Sequence, residues 1–225
     1  MTDFDVLTRA NLQRWDQARL TRKTLTDKVA QSLVAAKKRY QAVDAKTGVP
    51  WAVIAVIHER ESSQNWGRSL AQGDPWNRVS VHVPAGRGPF NSWEEAAIDA
   101  LVNCHPHLAR RKDWSLAGVL IGLELYNGLG YANKGVPSPY LWAGTNQYKS
   151  GKYVRDGLYD PSHVDQQLGC VAMLKSMMAI DPTITFMGAK VVPITPGKPS
   201  VSSPSKGSIG AFIGSIFNAI FKRKS

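Results

Sequence analysis

The sequence predicts a mainly α (α+β) domain with a small β element, followed by a linker and a separate C-terminal helix. Three observations lead there. Apolar residues recur at spacings of three and four along most of residues 7–181, as they do in amphipathic and buried helices. Period-two alternation is confined to Val79, Val81 and Val83, with a possible hairpin around Tyr148 to Val154. After Asp181 the composition shifts to Pro, Gly, Ser and Lys, which cannot bury a core.

Residues 1–46 read as a helical segment packed on the core, with Leu12, Trp15, Ala18 and Leu20 on one helix and Leu25, Val29, Leu33, Ala36 and Tyr40 on the next. Lys37, Lys38 and Arg39 lie near the end of the second helix, where cations complement the negative end of its dipole. Gly48 breaks the run; Thr47 is placed to cap the next helix, and Pro50 suits a first helical turn. Residues 49–62, VPWAVIAVIHERES, then form a short, largely buried helix, and SQNWGRSLAQGDPWNR after it is a loop. Val79 to Val83 reads as a strand that turns at Pro84 to Gly88. Ser92, with Glu95 three residues on, forms a capping box for a helix to about Cys104. Asp113 is expected to cap WSLAGVLIGLELYN, a helix apolar on nearly every side and therefore central, closed by Asn127-Gly128. Residues 129–160 are aromatic, Gly-rich loop, and Val164 to Ile180 is the last core helix. The main folded domain is thus expected over 47–181, a Pro/Ser/Gly linker over 182–207, and a cationic amphipathic helix over 208–225.

Charge location restricts the function classes. The net +11 comes from the flanks: residues 1–48 hold ten Lys/Arg against five Asp/Glu, residues 182–225 hold six against none, and the middle is balanced at twelve against twelve. A nucleic-acid binder would carry its basic stripe on the folded domain, so no specific nucleic acid is expected. Cys104 and Cys170 lack CxxC or Cys/His neighbours and read as small buried hydrophobes. The five histidines show no ligand spacing, so neither metal nor cofactor is expected.

One carboxyl stands out. Projected at about 100° per residue, Val53, Ile54, Val56 and Ile57 define the apolar side of the 49–62 helix, and Glu61 falls near it while Glu59 points away. Desolvation and the negative helix end both favour the neutral acid, which is what a general acid for glycosidic cleavage requires. The same spacing also admits a surface Glu paired with Arg60 or Arg68. Aromatic and amide side chains collect in the two loops beyond this helix, among them Trp66, Asn65, Tyr140, Trp142 and Tyr153, a composition suited to stacking on sugars or to plugging the core.

The run VPWAVIAVIHERESS resembles the catalytic-helix motif of the goose-type lysozyme and lytic transglycosylase superfamily, and LELYNGLGY resembles its Tyr-Asn-Gly-type motif. The resemblance covers roughly residues 47–180 and implies a lysozyme-like fold. It makes Glu61 the catalytic acid, Ser62 its follower, and Tyr126 and Asn127 the pair that faces acid and substrate; the aromatic loop composition adds Tyr140, Trp142 and Tyr153 as expected substrate contacts. The Gly-Leu-Met-Gln-type segment usual in lytic transglycosylases is replaced by LAQGDPWNRVSVHV. Asp74 in Gly73-Asp74-Pro75 is therefore a candidate base for activating water, or else a turn-forming Asp; Asp156 is a weaker candidate. The implied activity is muramidase cleavage of peptidoglycan between N-acetylmuramic acid and N-acetylglucosamine, with transglycosylation or non-catalytic wall binding as alternatives.

The first twenty residues lack the apolar core of a secretory signal. The expectation is cytoplasmic synthesis followed by action on the cell wall after release, as for a bacteriophage endolysin acting as a monomer. Residues 208–225 would meet anionic membrane or lipopolysaccharide through Lys222, Arg223 and Lys224.

Overall fold

The computed structural model describes residues 2–71, 73–155 and 157–188. Among them the chain is mainly helical with one two-stranded antiparallel sheet, which agrees with the expected α+β class. The expected helix at 208–225 and the bulk of the linker lie outside the described residues, as does Asp156.

The N-terminal region forms α1 (Phe4–Gln17), α2 (Lys23–Ala35) and α3 (Lys37–Thr47). The spacing predicts two helices there; the second is divided at Ala36, so Lys37, Lys38 and Arg39 begin α3 instead of closing a longer helix. Gly48 ends α3 at φ 69°, a left-handed conformation that glycine adopts without strain. The helix α4 (Trp51–Ser62) comes next, and its cap differs from the expected one. Asp44, seven residues upstream, accepts the Trp51 N–H at 3.0 Å, while the Thr47 hydroxyl turns back to Val43 and accepts the Val49 N–H.

Beyond α4 come α5 (Trp93–Asn103), a 3₁₀ turn (Leu108–Arg110) and α6 (Leu116–Asn127). Ser92 caps α5 as expected, with Glu95 reaching back to Asn91. Ser115 caps α6, and Asp113 supports it by accepting the Ser115 N–H. The loop expected over 129–160 contains two short helices, α7 (Gly130–Asn133) and α8 (Pro139–Trp142), before β1 (Lys152–Arg155) and β2 (Leu158–Asp160). The hairpin lies a few residues beyond its expected place, with Tyr153 opposite Tyr159. The last helix, α9 (Cys170–Ile180), starts later than expected because residues 161–169 run irregularly before Gly169.

The strand expected at Val79 to Val83 is a loop. Val79, Val81 and Val83 face solvent, as does His82, and only Ser80 of the run is buried, bonding to Pro84 and Arg87. The physical reason is local capture of the backbone. The amides of Val81 and His82, which a neighbouring strand would have engaged, donate to Asp74 Oδ2 at 2.9 Å each.

The core draws on α4, α6 and α9, with α1 on α6, α2 on α9, α3 on α4 and α5 on α3. Both Cys104 and Cys170 are free and buried, as expected. Residues 182–188 continue to pack, with Ile184 4% exposed, Phe186 6% exposed and Met187 accepting the Leu116 N–H, so the packed unit runs past the boundary expected at 181. No helix among the described residues is long and apolar enough to cross a membrane.

Candidate active site

Glu61 sits on the last turn of α4, a helix whose residues from Trp51 to His58 are all buried. It is half-buried, and Tyr140 of α8 donates its hydroxyl to Glu61 Oε1 at 2.9 Å. Desolvation pushes the carboxyl up to about 7, although the Tyr140 hydrogen bond and the positive charge of Arg60 both favour the ionised form. Burial therefore outweighs two stabilising partners. Tyr126 of α6 lies close enough to Glu61 for the carboxylate to raise its phenol further, after desolvation as the main cause.

A surface pairing of Glu61 with Arg60 or Arg68 does not form. Arg60 turns inward, bonding Asp165 at 3.0 Å and packing its guanidinium 4.9 Å from the centre of the Tyr140 ring. Arg68 donates to the Gly73 carbonyl. Asp165 also accepts from Lys152 of β1 at 3.1 Å, and although desolvation raises it most, the two cations hold it below the usual carboxylate range. This buried group supports Tyr140 through the Arg60 guanidinium beside its ring. The α8–α9 packing that brings Tyr140 there needs Gly169: a Cβ at that position would lie 2.4 Å from the Leu141 carbonyl oxygen.

The turn after Glu61 is held by a second network. Gln64 donates to the Tyr40 hydroxyl at 3.2 Å, and Tyr40 lies 3.0 Å from His58 Nδ1. His58 Nε2 lies 3.1 Å from the Asn65 carbonyl, which can only accept, so Nε2 carries the proton and Nδ1 receives the Tyr40 hydroxyl. Burial lowers His58 to about 4 and keeps it neutral, as this pattern requires. Trp66 and Trp93 close around the imidazole, each with its ring centroid 4.6 Å away. Ser63 and Gln64 occupy the left-handed region at φ 53° and 56°, and the network offsets that strain.

The other expected site residues divide. Ser62 bonds the His58 carbonyl within its own helix. Tyr126 donates to the Leu70 carbonyl at 3.0 Å, tying the post-α4 loop to α6 beside Glu61. Asn127 donates to Ser138, the cap of α8, and so supports Tyr140's helix. Trp142 has no exposed surface to offer a ligand. Tyr153 belongs to an edge-to-face group with Tyr131 and Tyr159, with Lys134 4.9 Å from the Tyr159 ring. Asp74 is 6% exposed, with Oδ1 on His82 and Oδ2 on two amides, so its oxygens are occupied. Asp165 is an addition that sequence reasoning missed, and Arg60, expected only as a surface partner of Glu61, instead pairs with Asp165 beneath Tyr140's ring.

Glu59 and Glu124 are also pushed up to about 7, chiefly by desolvation. Glu124 bonds Asn11 of α1, and Glu61 alone of the three is held by a tyrosine hydroxyl. Among the described residues no group of three or more His, Cys, Asp or Glu is arranged to hold a metal ion. Comparison with protein families, characterised sequences and solved structures finds no match to this chain.

Proposed function

We propose that the chain is a glycoside hydrolase of the muramidase type, cleaving the glycan strand of peptidoglycan between N-acetylmuramic acid and N-acetylglucosamine. The observation that carries this reading is the half-buried Glu61 carboxyl, held by Tyr140 and retaining its proton to about pH 7. Such a group donates a proton to a leaving oxygen near neutrality. The sequence likeness of HERESS and LELYNGLGY to lysozyme-like enzymes supplies the substrate class, and a lysozyme-like arrangement of the helices is part of the same proposal. A second reading, lytic transglycosylation, is favoured by the occupied oxygens of Asp74, which leave Glu61 as the available carboxyl.

The test is digestion of purified insoluble peptidoglycan. The wild-type chain releases soluble fragments with reducing ends; Glu61→Gln, which keeps an oxygen for Tyr140 to donate to, releases none while unfolding cooperatively like the wild type. Undiminished release by Glu61→Gln overturns the reading.

A further inference from the structure

Between α1 and the chain just past α6 lies a cavity of about 370 Å³, a size that admits a small ligand, and none of the side chains that hold Glu61 lines it. Its floor is apolar: Val6, Leu7 and Ala10 of α1 lie across from Ala132 and Val136. Asp3 and Arg14 extend the same α1 stripe at its two ends, since residues three and four apart share one side of a helix.

The Arg14 guanidinium is positioned from the buried side. Asn11, with no exposed surface, accepts from Arg14 Nη1 at 3.2 Å and donates to the buried Glu124 of α6 at 3.3 Å. Arg14 itself is half-buried, and among the described residues it forms no salt bridge. Desolvation loosens its proton more than the attraction of Glu124 tightens it, so the protein under-balances this charge. At the other end, Asp3 spends Oδ1 on the amides of Asp5 and Val6, and Oδ2 is left to accept. Asn133 takes the Thr2 hydroxyl on Oδ1, which leaves its amide N–H groups to donate.

The spacing of these groups selects a ligand. At about 1.5 Å per residue, α1 sets Asp3 and Arg14 roughly 16 Å apart along its axis. An extended peptide rises about 3.3 Å per residue, so about four residues with a hydrogen bond at each end cover that span. We propose that the cavity binds a short, extended peptide with free termini, its carboxylate taken by Arg14 and its ammonium by Asp3, with Asn133 donating to a carbonyl between them. A planar carboxylate matches the guanidinium fork with two parallel bonds. Ala10 and Ala132 leave width for side chains as small as alanine's. The site is separate from glycan cleavage by Glu61 and stands whether or not that reading does.

Calorimetric titration of the full chain with tetra-alanine and with its C-terminal amide tests the proposal. Tetra-alanine is expected to bind. The amide, which has no charge for Arg14, is expected to bind at least about tenfold more weakly, the usual worth of a hydrogen bond to a charged group. Arg14→Gln, which can still donate to Asn11, is expected to lose the same factor and to bind acid and amide alike. Val136→Phe fills the cavity while keeping Arg14, and is expected to abolish binding; thermal unfolding checks both variants, and the comparison of acid with amide needs neither. Equal binding of acid and amide by the wild type, undiminished binding by either folded variant, or no binding of tetra-alanine at millimolar concentration would each overturn the site. Acetate bound as tightly as tetra-alanine would overturn the peptide as its ligand.

Discussion

Glu61 is held by opposing influences whose balance has a measurable sign. Its ordinary value of 4.5 is raised to about 7 in the folded chain, so the native state binds the proton more tightly than the unfolded one. The stability linked to that proton is complete below pH 4.5 and is lost as the pH rises through 7. The loss amounts to at most about 3 kcal/mol, because each tenfold change in proton affinity is worth about 1.36 kcal/mol. Glu61→Gln has no proton to lose. It is therefore expected to unfold at a higher temperature than the wild type at pH 8 and at nearly the same temperature at pH 4, while Glu59 and Glu124 contribute equally to both proteins. Equal melting temperatures at pH 8 would show that the carboxyl is not desolvated. This residue was legible in the sequence because an apolar helix face and a helix end both act on it locally. Its partner was legible only as one aromatic among many: nothing near Tyr140 in the sequence reveals which atom its hydroxyl meets.

At the level of elements, the acid's surroundings depend on how α4, α8 and α9 lock together. Arg60 on α4 bonds Asp165 just before α9 and lies over Tyr140 of α8, so one guanidinium links all three. Removing one member of a buried pair leaves the other charge uncompensated, which costs about 3–5 kcal/mol. Asp165→Asn is expected to lower stability by that order, measured by chemical denaturation, and to weaken activity by releasing Tyr140. A change within experimental scatter would mean that Lys152 and solvent compensate fully. Helix positions were readable because spacing and capping are local. The Arg60–Asp165 pair was not, since its members are 105 residues apart and only the fold joins them. The same physics explains the strand that did not form: Val79 to Val83 has the alternation of a strand, but Asp74 takes the amides a partner strand would need. Asp44 likewise displaces Thr47 as the cap of α4 because a carboxylate on the preceding helix reaches the open N–H better than a hydroxyl turned toward Val43.

Across the whole molecule, the helical class is legible in the periodicity, whereas the domain's end reads too early because Pro and Gly content obscures two anchors. Ile184 and Phe186 are buried, and Lys37 bonds both Asp181 and Thr183, so residues 182–188 belong to the packed unit. Burial of two large apolar side chains contributes about 3–6 kcal/mol together. A chain ending at Gly188 is expected to melt measurably higher than one ending at Asp181, and equal melting would contradict the packing of Ile184 and Phe186.

The most direct measurement is mass spectrometry of the soluble products from insoluble peptidoglycan treated with the full chain and, in parallel, with Glu61→Gln. Muropeptides ending in reducible N-acetylmuramic acid, formed by the first protein and absent with the second, are the predicted result. The same muropeptides from both proteins, or from neither, would contradict the assignment of glycan cleavage to this carboxyl.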